Sequence, residues 1–288
     1  MDERKERLSE KAARKSPLLI NAKRNEVLLA LHSVRFALTR HLVALLDQQP
    51  SNASRLLGRL YRHRYVDRMP QLVRHGPGAP ALVYTLDILG NEYIAELHGT
   101  PAEDRPRAGQ PVSTYFLEHY LAIADVYVAL QIAARVAGLC LTWYNEIEAV
   151  LPYVQGIEER KLSPDALFWL AGSQILTTLV FLEVDRSTES LQRWQGKLET
   201  YQGYFVSPTG FQRQFRERPA RVLVLVTARS EGRVQSLLRH TREAWQGNWE
   251  RQSFRLGVAV HDHGQLSPER ILTLDWKGLD QRPFKLVE

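Results

Sequence analysis

Residues 164–201 constrain the fold more than any other stretch. They read P-D-A-L-F-W-L, a short polar break, T-L-V-F-L-E-V-D, then R-S-T-E-S-L-Q-R-W-Q-G-K-L-E-T-Y. Two apolar runs of strand length flank a turn around Gly172, and an amphipathic helix follows from near Ser187. Asp165 opens the first run, and Glu183 and Asp185 close the second, so the turn brings the carboxylates to one edge. Hard oxygen ligands at adjacent strand ends are what Mg²⁺ requires, since it keeps several waters and takes few protein ligands. The competing reading is a polar strand end and a helix cap. Residues alone leave both open.

A length of 288 residues allows one large domain or two ordinary ones. The 44% hydrophobic and 24% charged content is that of a folded chain rather than a disordered one. A single cysteine, Cys140, excludes an intramolecular disulfide framework and a cysteine-rich zinc site, and suits a reducing compartment. No apolar run free of charge approaches the roughly 18 residues of a membrane span. The charged N-terminus lacks the apolar core of a signal peptide. The expected location is therefore cytoplasmic, with no membrane partner. The net charge of +6 favours an anionic partner.

Residues 1–24 are rich in Lys and Arg and read as a flexible arm or frayed helix. Residues 25–99 follow as a dense helical domain. A first helix over 26–33 offers Val27, Leu28 and Leu31. A second, over 41–47 with Thr39 as N-cap, offers Leu42, Leu45 and Leu46. A third, from Ser51 to about Arg62, offers Leu56, Leu57 and Leu60. Arg55, Arg59 and Arg62 fall at i, i+4 and i+7, which puts them on another face of that helix. Tyr65 and Val66, a turn through Gly76-Pro77-Gly78, and the strand-like residues 81–85 come next, and Asp87 caps a last helix. Three helices followed by two strands around a Pro/Gly tip is the order of a winged helix-turn-helix, whose third helix enters the major groove while the wing rests on the backbone. Ser51, Asn52, Arg55, Arg59 and Arg62 are the expected DNA contacts on the helix, and Arg64, Arg68, Arg74 and His75 those on and around the wing. The alternatives are a solvated face, or a winged domain used for protein binding.

Residues 100–111, T-P-A-E-D-R-P-R-A-G-Q-P, read as a linker. Residues 112–288 alternate helix and strand. A long amphipathic helix spans 112–138, a strand-like segment 139–143, and the two acid-tipped strands and their helix follow. The run R-V-L-V-L-V-T at 221–227 suits a central strand covered on both faces. A helix over 233–245 and a strand over 254–260 complete the pattern. The expected class is α/β (α+β overall), a mixed sheet flanked by helices. Residues 262–288 have only isolated apolar positions and are not placed.

Ordered along the chain, several motifs carry a resemblance: L-L-G-R-L-Y-R-H-R-Y-V, V-Y-T-L-D-I-L-G-N-E-Y-I-A, E-H-Y-L-A-I-A-D-V-Y-V-A-L at 118–130 and L-T-W-Y-N-E at 141–146. P-D-A-L-F, F-L-E-V-D-R-S-T-E and K-L-E-T-Y follow. Together, over roughly 25–227, the chain resembles the replication-relaxation family. Its members are proteins of plasmids and integrative conjugative elements, described as a winged helix joined to a domain related to the PD-(D/E)XK nuclease fold.

That resemblance implies a restriction-endonuclease-like domain in which Asp165 matches the first metal-binding carboxylate and Glu183 the second. The lysine expected two residues on is Asp185, which cannot donate positive charge. Lys197, on the following helix, is the substitute the resemblance allows, three turns from a helix start at Ser187. Glu118 matches a further acidic ligand, and Glu146 is another possibility. The implied cofactor is Mg²⁺ or Mn²⁺, which would activate water and polarise a phosphate. Arg186 beside Asp185 leaves open a purely structural cluster.

Other candidates are less specific. His261-Asp262-His263 has ligand chemistry with weak spacing. His119 beside Glu118 reads as a helix-face histidine. Trp143, Trp169, Trp194 and Tyr201, spaced among leucines, read as core rather than a base-stacking surface. No phosphate-binding glycine loop, H-E-x-x-H or serine elbow occurs. Three functions follow in order. The first is a double-stranded DNA-binding accessory protein of plasmid replication or conjugative transfer, acting beside a relaxase or the replication machinery, as a homodimer. The second is a Mg-dependent site-specific endonuclease or nickase. The third is a transcriptional repressor of a mobile element.

Overall fold

The structure, a computed structural model, describes residues 18–70, 81–99, 112–173, 175–186, 190–215, 219–244, 254–260, 266–280 and 282–287. The chain forms two compact units, Met1–Val128 and Ala129–Glu288. The expected wing tip with Arg74 and His75, most of the basic arm, the 100–111 segment and His261-Asp262-His263 lie outside the described residues.

In the first unit, α1 (Ala22–Val34) begins where Asn21 accepts a hydrogen bond from the Arg24 N–H, and it is longer than the predicted 26–33. Val27, Leu28, Leu31 and Val34 recur at helical spacing and are buried. A two-residue strand, β1 (Ala37–Leu38), leads into α2 (Thr39–Leu46). The N-cap is Leu38 rather than Thr39, whose hydroxyl instead donates to the Leu82 carbonyl. At α2 the His41 ring accepts from the Leu38 N–H through Nδ1, and its Nε2 lies 2.8 Å from Asp125. Next comes α3 (Pro50–Arg62), with Pro50 at its start, where a missing N–H costs nothing. It buries Ala53, Leu57, Leu60 and Tyr61, while Leu56 is half-buried.

Antiparallel β2 (Val66–Pro70) and β3 (Leu82–Leu86) then pair, giving a sheet of order β1-β3-β2. After β3, Asp87 caps α4 (Ile88–His98) through its carboxylate. Gly90 is obligatory on α4: a Cβ there would sit 2.1 Å from the Tyr65 carbonyl oxygen.

Helix α5 (Thr114–Ala137) runs across the division between the units, and its first half belongs to the first. Arg35 donates to the Tyr120 hydroxyl at 2.8 Å and lies over the Phe116 and Tyr120 rings. Arg40 reaches Asp125 at 2.9 Å. Although α5 is long and apolar enough by composition to cross a membrane, 67% of its apolar window is buried within the protein.

The second unit is built on a seven-stranded mixed sheet. Its strands are β4 (Cys140–Asn145), β7 (Ala166–Gly172), β8 (Ile175–Val184), β9 (Arg221–Ala228), β10 (Phe254–Val260), β11 (Trp276–Gly278) and β12 (Pro283–Phe284), in that spatial order. The centre, β8-β9-β10, is parallel; both flanks are antiparallel. Parallel neighbours need crossovers, and α6 (Leu191–Val206) and α8 (Glu231–Ala244) supply them. Between α6 and β9 lies the single turn α7 (Phe211–Gln214). Leu179 and Phe181 of β8, Val222, Val224 and Val226 of β9, and Trp194, Leu198, Val234 and Leu237 of the helices share one core. Burial of each such side chain contributes on the order of 2 kcal/mol.

A hairpin, β5 (Leu151–Gln155) with β6 (Glu158–Leu162), is inserted between β4 and β7. The C-terminal segment, unplaced from sequence, supplies β11 and β12.

Candidate functional site

Period-2 alternation puts Glu183 on the β8 face that carries Leu179 and Phe181, toward α6. Glu183 is 2% exposed, and each of its oxygens has a donor. Lys197 Nζ donates to Oε2 at 2.8 Å, and the Tyr201 hydroxyl donates to Oε1 at 2.8 Å. Those donors are four residues apart on α6, one above the other on its inner face. The helix begins at Leu191 behind the Ser190 cap, later than the predicted 187. Lys197 therefore lies under two turns from the helix start, not three, and reaches the strand.

Asp165 stands beside Glu183. Its N–H donates to the Leu182 carbonyl at 3.0 Å, and its Oδ2 accepts from the Val184 N–H at 2.7 Å, so the side chain continues the β7–β8 ladder. Burial pushes the Glu183 carboxyl above its usual range; the Lys197 charge opposes this, while the Asp165 charge adds to the rise. Tyr201 is raised well above an ordinary phenol, first by burial and then by Glu183. Glu146 follows Asn145, whose register partner is Ala166, so its backbone lies one step past the strand pair toward Asp165.

Asp185 departs from expectation. Arg233 of α8 holds both its oxygens, Nε at 3.1 Å and Nη2 at 2.6 Å, with Asp185 4% exposed. Arg233, 48 residues further along the chain, thus meets Asp185 as a cation. Among the described residues, Asp165, Glu183 and Asp185 form no three-ligand group converging within 4.8 Å. Glu118 lies on the part of α5 that belongs to the first unit.

Asp165 and Glu183 are the carboxylates that would hold a divalent cation at this edge. Mg²⁺ commonly takes one or two carboxylates, and each Glu183 oxygen retains a lone pair beyond its single donor. A bound cation would supply Lewis acidity toward a phosphate. Asp185, neutralised by Arg233, does not fit as a ligand. Of the predicted aromatics, Trp194 is fully buried and donates to Thr241 at 3.0 Å, and Tyr201 is buried. Trp143 and Trp169 are half-buried, Trp143 stacking on Phe168.

In the first unit, Ser51, Asn52, Arg55, Arg59 and Arg62 are all exposed on α3, opposite its buried face. The Asn52 side chain accepts from Arg55, and none of the three arginines has an ion pair among the described residues. Arg64 is exposed, 4.0 Å from Asp87. The Arg68 guanidinium lies over the Tyr61 ring at 4.2 Å. It is half-buried, because β2 pairs Arg68 with Tyr84 and turns it onto that aromatic floor.

The fold is thus an α+β chain with an arginine-faced helical unit and a mixed-sheet unit whose edge joins two carboxylates and a lysine. The replication-relaxation family model matches residues 28–215, more than half the chain, and the protein belongs to that family. Membership suggests a role in plasmid replication or conjugation. Comparison with curated proteins and with solved structures gives no match.

Proposed function

We propose that the protein is a site-specific double-stranded DNA-binding accessory factor of plasmid replication or conjugative transfer. The observation that carries this reading is the exposed Asn52-Arg55-Arg59-Arg62 stripe on α3, the third helix of a helix–strand–helix–helix–strand–strand order that suits a winged helix-turn-helix. Guanidinium groups in a row serve both phosphate contact and bidentate reading of guanine. Two-fold half-sites make a homodimer the expected binding form, and a relaxase or replication protein the expected neighbour. Anisotropy titration of the full chain against duplexes from the origin, the transfer region and a promoter of its element tests this. Preference for origin or transfer DNA supports the accessory role; preference for the promoter supports a repressor; equal weak binding to all three contradicts site specificity.

A second reading, a metal-dependent endonuclease or nickase, is favoured by one contact: Lys197 beside Glu183 supplies the positive charge that Asp185 lacks. In this reading Asp165 and Glu183 hold Mg²⁺ or Mn²⁺. Lys197 steadies the charge that develops on the phosphate, and Tyr201 orients Glu183. Incubation of supercoiled plasmid carrying the transfer region with Mg²⁺ or Mn²⁺ tests it. Nicking that disappears in Asp165→Ala and Glu183→Ala supports an enzyme. Equal nicking by all three proteins, or none by any, contradicts it.

A further inference from the structure

The second unit contains a cavity of about 950 Å³ between the β5–β6 hairpin and the α6–α7 turn. Val150, Pro152 and Val154 give it an apolar side, Lys161 stands beside Pro152 as its cross-strand partner, and Arg213 of α7 is a second lining cation. Both cations are exposed and make no ion pair among the described residues. Arg160, also lining the cavity, is tied to Glu158 at 2.7 Å, and Glu159 is the carboxylate among the lining residues. The β5 backbone is hydrogen-bonded directly to the α6–α7 turn and to α7. Thr209 accepts from the Val154 N–H at 2.8 Å, Ser207 donates to the Val154 carbonyl at 2.6 Å, and Gln214 donates to the Pro152 carbonyl. A ligand meets this surface without first ordering it.

Its location ties it to the acid edge. The hairpin leaves the sheet after β4, close behind Asn145, and returns to it at Asp165. Tyr153 of β5 donates to the Thr200 carbonyl at 3.3 Å, one residue before the Tyr201 that holds Glu183. The hairpin that lines the cavity thus packs on the helix that carries Lys197 and Tyr201.

We propose that this cavity binds an unpaired DNA strand, its phosphates on Lys161 and Arg213 and its bases against the apolar wall of β5. Cations set beside apolar groups suit a chain that alternates phosphate with a flat apolar ring. A duplex keeps its base faces stacked inside and has no use for such a wall. The inference rests on the DNA-binding reading above and adds to it a second contact specific for single strands.

The test uses the full chain and a fluorescein-labelled thymidine oligonucleotide, read by anisotropy across a salt series, with a duplex measured in parallel. The Lys161→Ala/Arg213→Ala protein is expected to bind the oligonucleotide at least tenfold more weakly. Its log K against log salt slope should fall by roughly 1.4, about 0.7 for each lost contact on a single strand. Lys161→Arg/Arg213→Lys is expected to retain binding, and unchanged thermal melting of both variants shows that the fold is intact. No oligonucleotide binding by the wild type, or an unchanged affinity and slope in the alanine variant, overturns the proposal. So does capture of a polyglutamate peptide in place of the oligonucleotide, which assigns the cavity to an acidic protein segment. If duplex binding survives while the oligonucleotide arm fails, this inference falls and the duplex reading stands; if duplex binding alone fails, the reverse holds.

Discussion

Lys197 and Glu183, fourteen residues apart in the chain, meet at 2.8 Å, where α6 crosses the end of β8. The contact places a lysine beside Glu183 from the helix, where the chain two residues on carries Asp185. It also explains how Glu183 can be 2% exposed and still keep two donors, Lys197 and Tyr201.

If that contact serves chemistry, Lys197→Met should lower metal-dependent nicking by about 10²–10³-fold, the usual effect of removing one charge-stabilising donor. Duplex affinity should not change. Nicking assays with Mg²⁺ on the wild type and the variant decide it; equal rates would leave Lys197 a structural partner only.

Glu183 should also govern a pH dependence. Its folded pKa is raised by burial, so the native state binds more protons than the unfolded state between the ordinary value of 4.5 and the raised one. The stability this confers is complete below 4.5 and is lost as pH rises through the raised pKa. Glu183→Gln does not titrate, so its stability relative to wild type should improve as pH rises through that window. Melting temperatures of both proteins from pH 4 to 9 measure the difference; a difference independent of pH contradicts the assignment.

Asp185 and Arg233 form a buried bidentate pair, with side chains 2% and 12% exposed. Removing one partner leaves the other charge buried, so Arg233→Met should destabilise by about 3–5 kcal/mol. Asp185→Leu/Arg233→Met should recover much of that loss, because both charges are then gone. Urea unfolding of the single and double variants measures the coupling.

Gly90→Ala should destabilise the first unit. The added Cβ meets the Tyr65 carbonyl at 2.1 Å, a backbone atom that cannot rotate away. Overpacking of this kind costs roughly 1–3 kcal/mol. Chemical denaturation followed by circular dichroism checks it.

The sequence revealed the acid edge because its signals are local: apolar runs of strand length with carboxylates at their ends. β9, an almost unbroken aliphatic run, is the parallel central strand its composition demands, with residues 222–226 all buried. The capping aspartate at 87 and the arginine spacing on α3 are equally local. What was missed depends on distant partners. β5 contains Pro152 and β6 reads E-E-R-K-L, so neither shows a buried period; the hairpin exists because Tyr153 and Leu162 pack on α6. β11 and β12 are three and two residues long, too short to carry a pattern; β11 is held by its pairing with β10, and β12, the edge strand, by its pairing with β11. The Asp185–Arg233 pair spans 48 residues and two elements, and no spacing rule predicts it. The stacking of Arg68 on Tyr61 is likewise not legible in sequence, because charge alone does not show the direction of a side chain.

The most direct test of the account is the salt dependence of duplex binding by the Arg55→Ala/Arg59→Ala protein. Each phosphate contact contributes about 0.9 to the slope of log K against log salt. If α3 faces DNA, affinity at moderate salt should fall at least tenfold and the slope by roughly 1.8. A variant with the affinity and slope of the wild type would contradict the α3 interface and, with it, the proposed function.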